Sequence, residues 1–113
     1  MKLGLSDEAF IRGKVPMTKQ EIRILTIVKA QIEADDVIYD IGAGTGSLSI
    51  EAARLAPAGH VYAIERKKEA VALIEANGAH FGLRNLSIIE AEAPEGLEAL
   101  PSADSPHGLV SVP

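Results

Sequence analysis

Three alternate glycines in the run D-I-G-A-G-T-G, residues 40–46, constrain this chain more than any other feature. They stand between an apolar pentapeptide and an amphipathic stretch. Residues 37–41 (V-I-Y-D-I) read as a short strand, mostly apolar, as expected where both faces of a sheet are covered. Residues 47–55 read as a helix ended by Pro57 and Gly59. The same rhythm then repeats. Residues 60–64 predict a second strand and 67–80 a second crossover helix, with Gly82 as a left-handed stop. Residues 86–90 predict a third strand, and Pro94 suits the first turn of a short helix through Leu100. This βαβαβα alternation predicts an α/β, Rossmann-like fold around a parallel sheet.

Residues 1–17 read as irregular, punctuated by Gly4, Gly13 and Pro16. A helix is predicted from Thr18 to about Ala34. Thr18 and Glu21 match a capping box, and Met17 and Ile22 the two positions of a hydrophobic staple. Ile22, Leu25, Val28 and Ile32 recur at helical spacing as one apolar stripe. Residues 18–100 are therefore expected to form the start of a ligand-binding domain. Residues 101–108 are a turn-rich linker, and 109–112 suit a fourth strand. With no return helix after it, the sheet is expected to be truncated after its third or fourth strand. Its first strand would then present an apolar edge.

The 113 residues allow one domain. Eleven Lys and Arg against sixteen Asp and Glu leave a net charge of -5, which argues against a general nucleic-acid surface. The absence of Cys excludes a disulfide scaffold, a thiolate metal site and a cysteine nucleophile within this chain. The His residues at 60, 80 and 107 lack close ligand spacing, so no metal is expected. No 18-residue apolar run is present, and the opening segment lacks a signal-peptide core. A cytoplasmic protein without membrane or nucleic-acid partners is expected.

Gly42, Gly44 and Gly46 do not fit the dinucleotide fingerprint, which needs Gly at position 47, where Ser stands. No Lys closes the loop as in a P-loop. Glycines still let a ligand approach the main chain without interference from a Cβ. Glu65 ends the second strand, 23 positions after Gly42, where an acid can bond both hydroxyls of a ribose. Asp40 and Glu65 together would repel a pyrophosphate and tolerate an amine and a sulfonium. The charge pattern therefore favours S-adenosyl-L-methionine over NAD. Asp40 has a second reading, as a brace for the amides of its own loop.

These residues carry a resemblance. D-I-G-A-G-T-G resembles motif I of the class I S-adenosylmethionine-dependent methyltransferases. More narrowly, D-E-A-F-I-R-G-K-V-P-M-T-K (7–19), Y-D-I-G-A-G-T-G-S-L-S-I-E-A-A (39–53) and E-A-E-A-P-E (90–95) together resemble the decarboxylating precorrin C15-methyltransferases of cobalamin biosynthesis. The resemblance implies methyl transfer to C15 of a precorrin-type tetrapyrrole and loss of the carboxyl group of its C12 acetate. It implies that Gly42, Gly44 and Gly46 line the methionine part of the cofactor and that Glu65 holds the ribose. Glu92 stands where the family usually has Asp near the adenine amine. Thr18 would close over the cofactor or substrate. A homotetramer is implied. The family's Gly-rich loop after the fourth strand has no counterpart here.

A polycarboxylate substrate needs a basic rim, and Arg12, Lys14, Lys19 and Arg23 are the candidates from the N-terminal segment. No residue is singled out for the decarboxylation. Competing readings are a methyltransferase on another small molecule or on RNA, and a non-catalytic assembly module. Two Phe, two Tyr and no Trp provide little stacking platform for RNA.

Overall fold

The computed structural model describes residues 4–91 and 110–111. After a single 3-10 turn at Asp7–Ala9 come α1 (Gln20–Ala30), β1 (Val37–Ile41), α2 (Ser47–Leu55), β2 (His60–Glu65), α3 (Lys68–His80), β3 (Leu86–Glu90) and β4 (Val110–Ser111). The four strands form one parallel sheet in the order β3-β2-β1-β4. The predicted short helix after Pro94, Glu92, and the linker at 101–108 lie outside the described residues. Among the described residues no helix is long and apolar enough to cross a membrane.

Successive strand residues point to opposite faces, so Ile38 and Asp40 share one face with Val61 and Ala63. All four are buried. Ile38 and Val61 join Leu48, Ala52, Ala53 and Ala56 from α2 and its end, with Ile27 of α1, in one apolar cluster. The other face carries a half-buried aromatic row. Tyr39 and Tyr62 lie 5.5 Å apart between ring centroids, and His60 lies 4.7 Å from Tyr62.

Two expectations are corrected. The first concerns the edge. β1 does not present a bare edge, because Tyr39 and Asp40 pair with Val110 and Ser111. The second concerns α1. Its N-cap is Lys19, no side chain caps it, and Gln31 ends it in the left-handed region at φ 50°. The Thr18–Glu21 capping box is therefore not formed. Three of the four predicted stripe residues also face outward: Ile22, Leu25 and Val28 are 52%, 57% and 56% exposed, while Ile32, beyond the helix end, packs against the core cluster. Arg23 and Ile27 occupy the inward positions instead. The physical reason is an ion-pair network that fixes the helix rotation, described next.

Candidate functional site

The glycine loop leaves β1 through alternate positive φ angles, at 69° for Gly42, 60° for Gly44 and 83° for Gly46. L side chains rarely adopt this region, which explains the alternation in the sequence. The loop curls onto the end of β2: the Gly42 and Ala43 amides both donate to the Ile64 carbonyl, at 2.8 and 3.2 Å. Gly46 donates to the Ala43 carbonyl and then caps α2, while a Cβ there would lie 3.0 Å from Ile74. Its role is to pack the loop against α3. Gly44 differs. A Cβ on it would point into the gap before the Pro16 carbonyl, 3.4 Å away.

That gap is the floor of an open cleft of about 670 Å³. Residues 15–18 form one wall, residues 42–44 the floor, and Glu65, Arg66 and Lys67 the far side. Glu65 is 7% exposed. Its Oε1 accepts the Gly44 amide at 2.9 Å, and its Oε2 accepts the Arg66 and Lys67 amides at 3.0 and 2.9 Å. Glu65 thus braces the glycine loop while bordering the cleft. A carboxylate has about four acceptor positions, so one remains for a ligand hydroxyl.

The structure separates the predicted site residues. Gly42, Gly44, Thr18 and Glu65 meet around the cleft. Asp40 is buried beneath it at 1% exposure, and its Oδ2 accepts the Ser49 hydroxyl at 2.5 Å. Its position on the inward face of β1 fits the bracing reading, now directed at α2 rather than the loop amides. Gly46 is likewise behind the loop and does not line the cleft.

Of the proposed basic rim, Arg12, Lys14 and Lys19 are exposed and lie outside the cleft lining. Arg23 is corrected outright: it is fully buried. Its guanidinium donates to Glu51 Oε2 at 3.2 Å, Asp7 Oδ1 at 2.8 Å, the Leu5 carbonyl at 2.5 Å and the Thr18 carbonyl. It also stacks 4.8 Å over the Phe10 ring. Glu51 completes the network by accepting the Gly4 and Leu5 amides, each at 3.1 Å. A cation so buried needs these acceptors to offset its desolvation.

Sequence reasoning missed four participants. Arg66 and Lys67 supply the cations that do border the cleft. Their signal was available, since they directly follow β2 at the carboxyl end of the strands, where ligands of this fold class bind. Glu51 and Asn77 had no comparable signal. Asn77 Nδ2 donates to the Ile11 and Thr45 carbonyls, each at 3.1 Å, while its Oδ1 accepts the Ile11 amide at 2.6 Å. Arg23–Glu51 and Asn77 are thus two clamps that hold the N-terminal segment beside the glycine loop.

Comparison with known proteins agrees with this architecture. A family model described as a precorrin methyltransferase domain matches residues 8–107. The chain is 48% identical over 99 residues to a probable cobalt-precorrin-6B C(15)-methyltransferase (decarboxylating) of Sulfolobus acidocaldarius, covering 86% of this chain and 52% of that relative. It is 44% identical over 91 residues to the cobalt-precorrin-6B C(15)-methyltransferase (decarboxylating) of Salmonella typhimurium, covering 80% and 47%. A crystal structure of precorrin-6y C5,15-methyltransferase from Geobacter metallireducens superposes with a TM-score of 0.85 at 43% identity, covering 90% of this chain and 54% of that one. The chain thus spans about half the length of the curated relatives it matches. With its glycine loop, strand-end acid and sheet order in place, the chain belongs to the precorrin methyltransferase family, within the class I S-adenosylmethionine-dependent methyltransferase superfamily.

Proposed function

We propose that the chain supplies the S-adenosylmethionine-binding side of a methyltransferase acting at C15 of a precorrin or cobalt-precorrin, with decarboxylation of the C12 acetate. The observation that carries this reading is the floor of the cleft. Gly44 leaves open the space a Cβ would fill, and the carboxylate of Glu65, held by the Gly44 amide, borders the same space. When bound, the cofactor supplies an electrophilic methyl group.

The chain's own contribution is alignment and exclusion of water. Gly42 and Gly44 offer main chain at close approach. Glu65 keeps one acceptor position for a ribose hydroxyl, and its charge suits a cationic ligand. Met17 and Thr18 stand over the cleft from the opposite wall. Glu92, outside the described residues, is proposed to reach the adenine amine. Arg66 and Lys67 at the cleft, with Arg12, Lys14 and Lys19 on the exposed N-terminal side, are proposed to meet the carboxylates of the substrate. A cytoplasmic setting and an assembly of like subunits, a tetramer by family resemblance, belong to the same proposal.

Calorimetric titration with S-adenosylhomocysteine and with NAD tests the cofactor. Tighter binding of S-adenosylhomocysteine is expected, and tighter binding of NAD would overturn the reading. An assay with a cobalt-precorrin substrate, following methyl transfer and release of carbon dioxide, tests the reaction on the intact gene product.

A further inference from the structure

We infer that the outward face of α1 is a self-complementary surface, through which two copies of the chain pair as antiparallel helices about a two-fold axis at Leu25. This deepens, and rests on, the assembly of like subunits proposed above, by naming the surface that makes it.

The face is defined by exposure. Glu21, Ile22, Leu25, Val28 and Lys29 are all exposed, and three of the five are large apolar residues more than half exposed. At about 100° per residue these positions occupy roughly 120° of the helix, centred on Leu25. A contiguous apolar stripe between charges marks an interaction surface more often than scattered exposed residues do. The inward face of the helix is already committed to Ile27 and the Arg23 network. No rotation of α1 can bury the stripe without breaking that network.

The order of residues identifies the occupant. Counted from Leu25, Ile22 and Val28 lie three positions to either side, and Glu21 and Lys29 four. A two-fold axis through the level of Leu25 that reverses the helix brings Ile22 level with Val28 of the other copy. It brings Glu21 level with Lys29 of the other copy at both ends of the contact. A parallel pairing would instead set Glu21 level with Glu21 and Lys29 level with Lys29, stacking like charges. The antiparallel arrangement also opposes the two helix dipoles. An isologous contact needs a patch that complements itself under a two-fold rotation, and this one does so through Leu25 on the axis and the opposite charges of Glu21 and Lys29, with Ile22 and Val28 on opposite flanks of the seam.

The chain has no Cys, so single cysteines report contacts cleanly. Sedimentation of the unmodified chain over a range of concentrations reports whether copies associate. Leu25→Cys, Glu21→Cys and Lys29→Cys are then treated with a short bifunctional maleimide. Ala79→Cys, exposed on α3, controls for random collision. Leu25→Cys is expected to link to itself well above that control. Glu21→Cys alone is expected not to, because reversal separates the two copies of position 21 by roughly 12 Å along the axis. A mixture of Glu21→Cys and Lys29→Cys is expected to link across. Leu25→Glu should weaken association about tenfold or more, with unchanged circular dichroism and, at concentrations where the chain is a single subunit, an unchanged melting temperature. If copies associate but Leu25→Cys links no better than the control, or Glu21→Cys links to itself, this surface or its orientation is wrong while the assembly stands. If the unmodified chain stays a single subunit at the highest attainable concentration, both readings fall.

Discussion

Asn77 on α3 and Thr45 in the glycine loop are joined by a buried hydrogen bond of 3.1 Å across 32 positions of sequence. The same amide nitrogen also holds the Ile11 carbonyl. One side chain therefore ties the N-terminal segment to the loop that floors the cleft. The position of the cleft wall is set from α3, on neither of the elements that form the floor.

Asn77→Leu should therefore cost about 2 kcal/mol or more, because it leaves the buried Thr45 carbonyl and the partly buried amide and carbonyl of Ile11 without their partner. Urea unfolding measures this. S-adenosylhomocysteine affinity should fall in the same variant, although residue 77 does not border the cleft. Unchanged affinity would show that the wall holds its place without the clamp.

Arg23→Met should destabilise by about 3–5 kcal/mol, since it leaves the buried Glu51 carboxylate with only the Gly4 and Leu5 amides and Arg54 at 4.0 Å, and frees the Thr18 and Leu5 carbonyls. Arg23→Met with Glu51→Met should cost less than either change alone, because no unpaired charge is left inside. A double-mutant cycle by chemical unfolding checks the sign. A double variant worse than both singles would mean that packing, and not charge, dominates at this site.

Glu65→Gln keeps the shape but removes the charge that faces the cleft. Cofactor affinity should drop by about 1–3 kcal/mol in calorimetry. Stability of the ligand-free protein should also fall, because Gln retains one carbonyl oxygen where the carboxylate served three amides. A loss of affinity with no change in melting temperature would remove the bracing role from Glu65.

Gly59→Ala tests the turn before β2. A Cβ there would lie 1.9 Å from the Asp36 carbonyl oxygen, closer than atoms can approach. That carbonyl accepts the His60 amide at 3.1 Å, so it cannot withdraw without loss. Destabilisation of about 1–3 kcal/mol is expected, read from thermal unfolding, with ligand affinity at the far end of the strands little changed.

Much of this was legible in the sequence, for local reasons. The strands at 37–41 and 86–90 and the helix at 47–55 coincide with β1, β3 and α2, because each is bounded by glycine, proline or charge that punctuates it. The glycine loop and Glu65 were legible because positive φ and a strand-end position leave residue-type signatures. The rotation of α1 was not. Periodicity finds an apolar stripe but cannot say which face a buried Arg has claimed, and Arg23 reads as a solvated cation until Asp7 and Glu51 are seen beside it. Asp40 sits midway. Its alternation with Ile38 puts it on the helix-facing side, but only the placement of Ser49 shows what it holds.

The bond between the Ile11 amide and Asn77 spans 66 positions, and those from Gly4 and Leu5 to Glu51 span 47 and 46. Closing such long loops is entropically costly until the distant partners are already in place. Local opening is expected to undo this closure first. β1, α2, β2 and α3 pack as a parallel core through neighbouring contacts, while residues 4–11 are held to it through Glu51 and Asn77. In native-state hydrogen exchange the Gly4, Leu5 and Ile11 amides should accordingly open at lower free energy than those of β1 and β2. Such an opened species would keep its glycine loop built while its ligand has no second wall to meet.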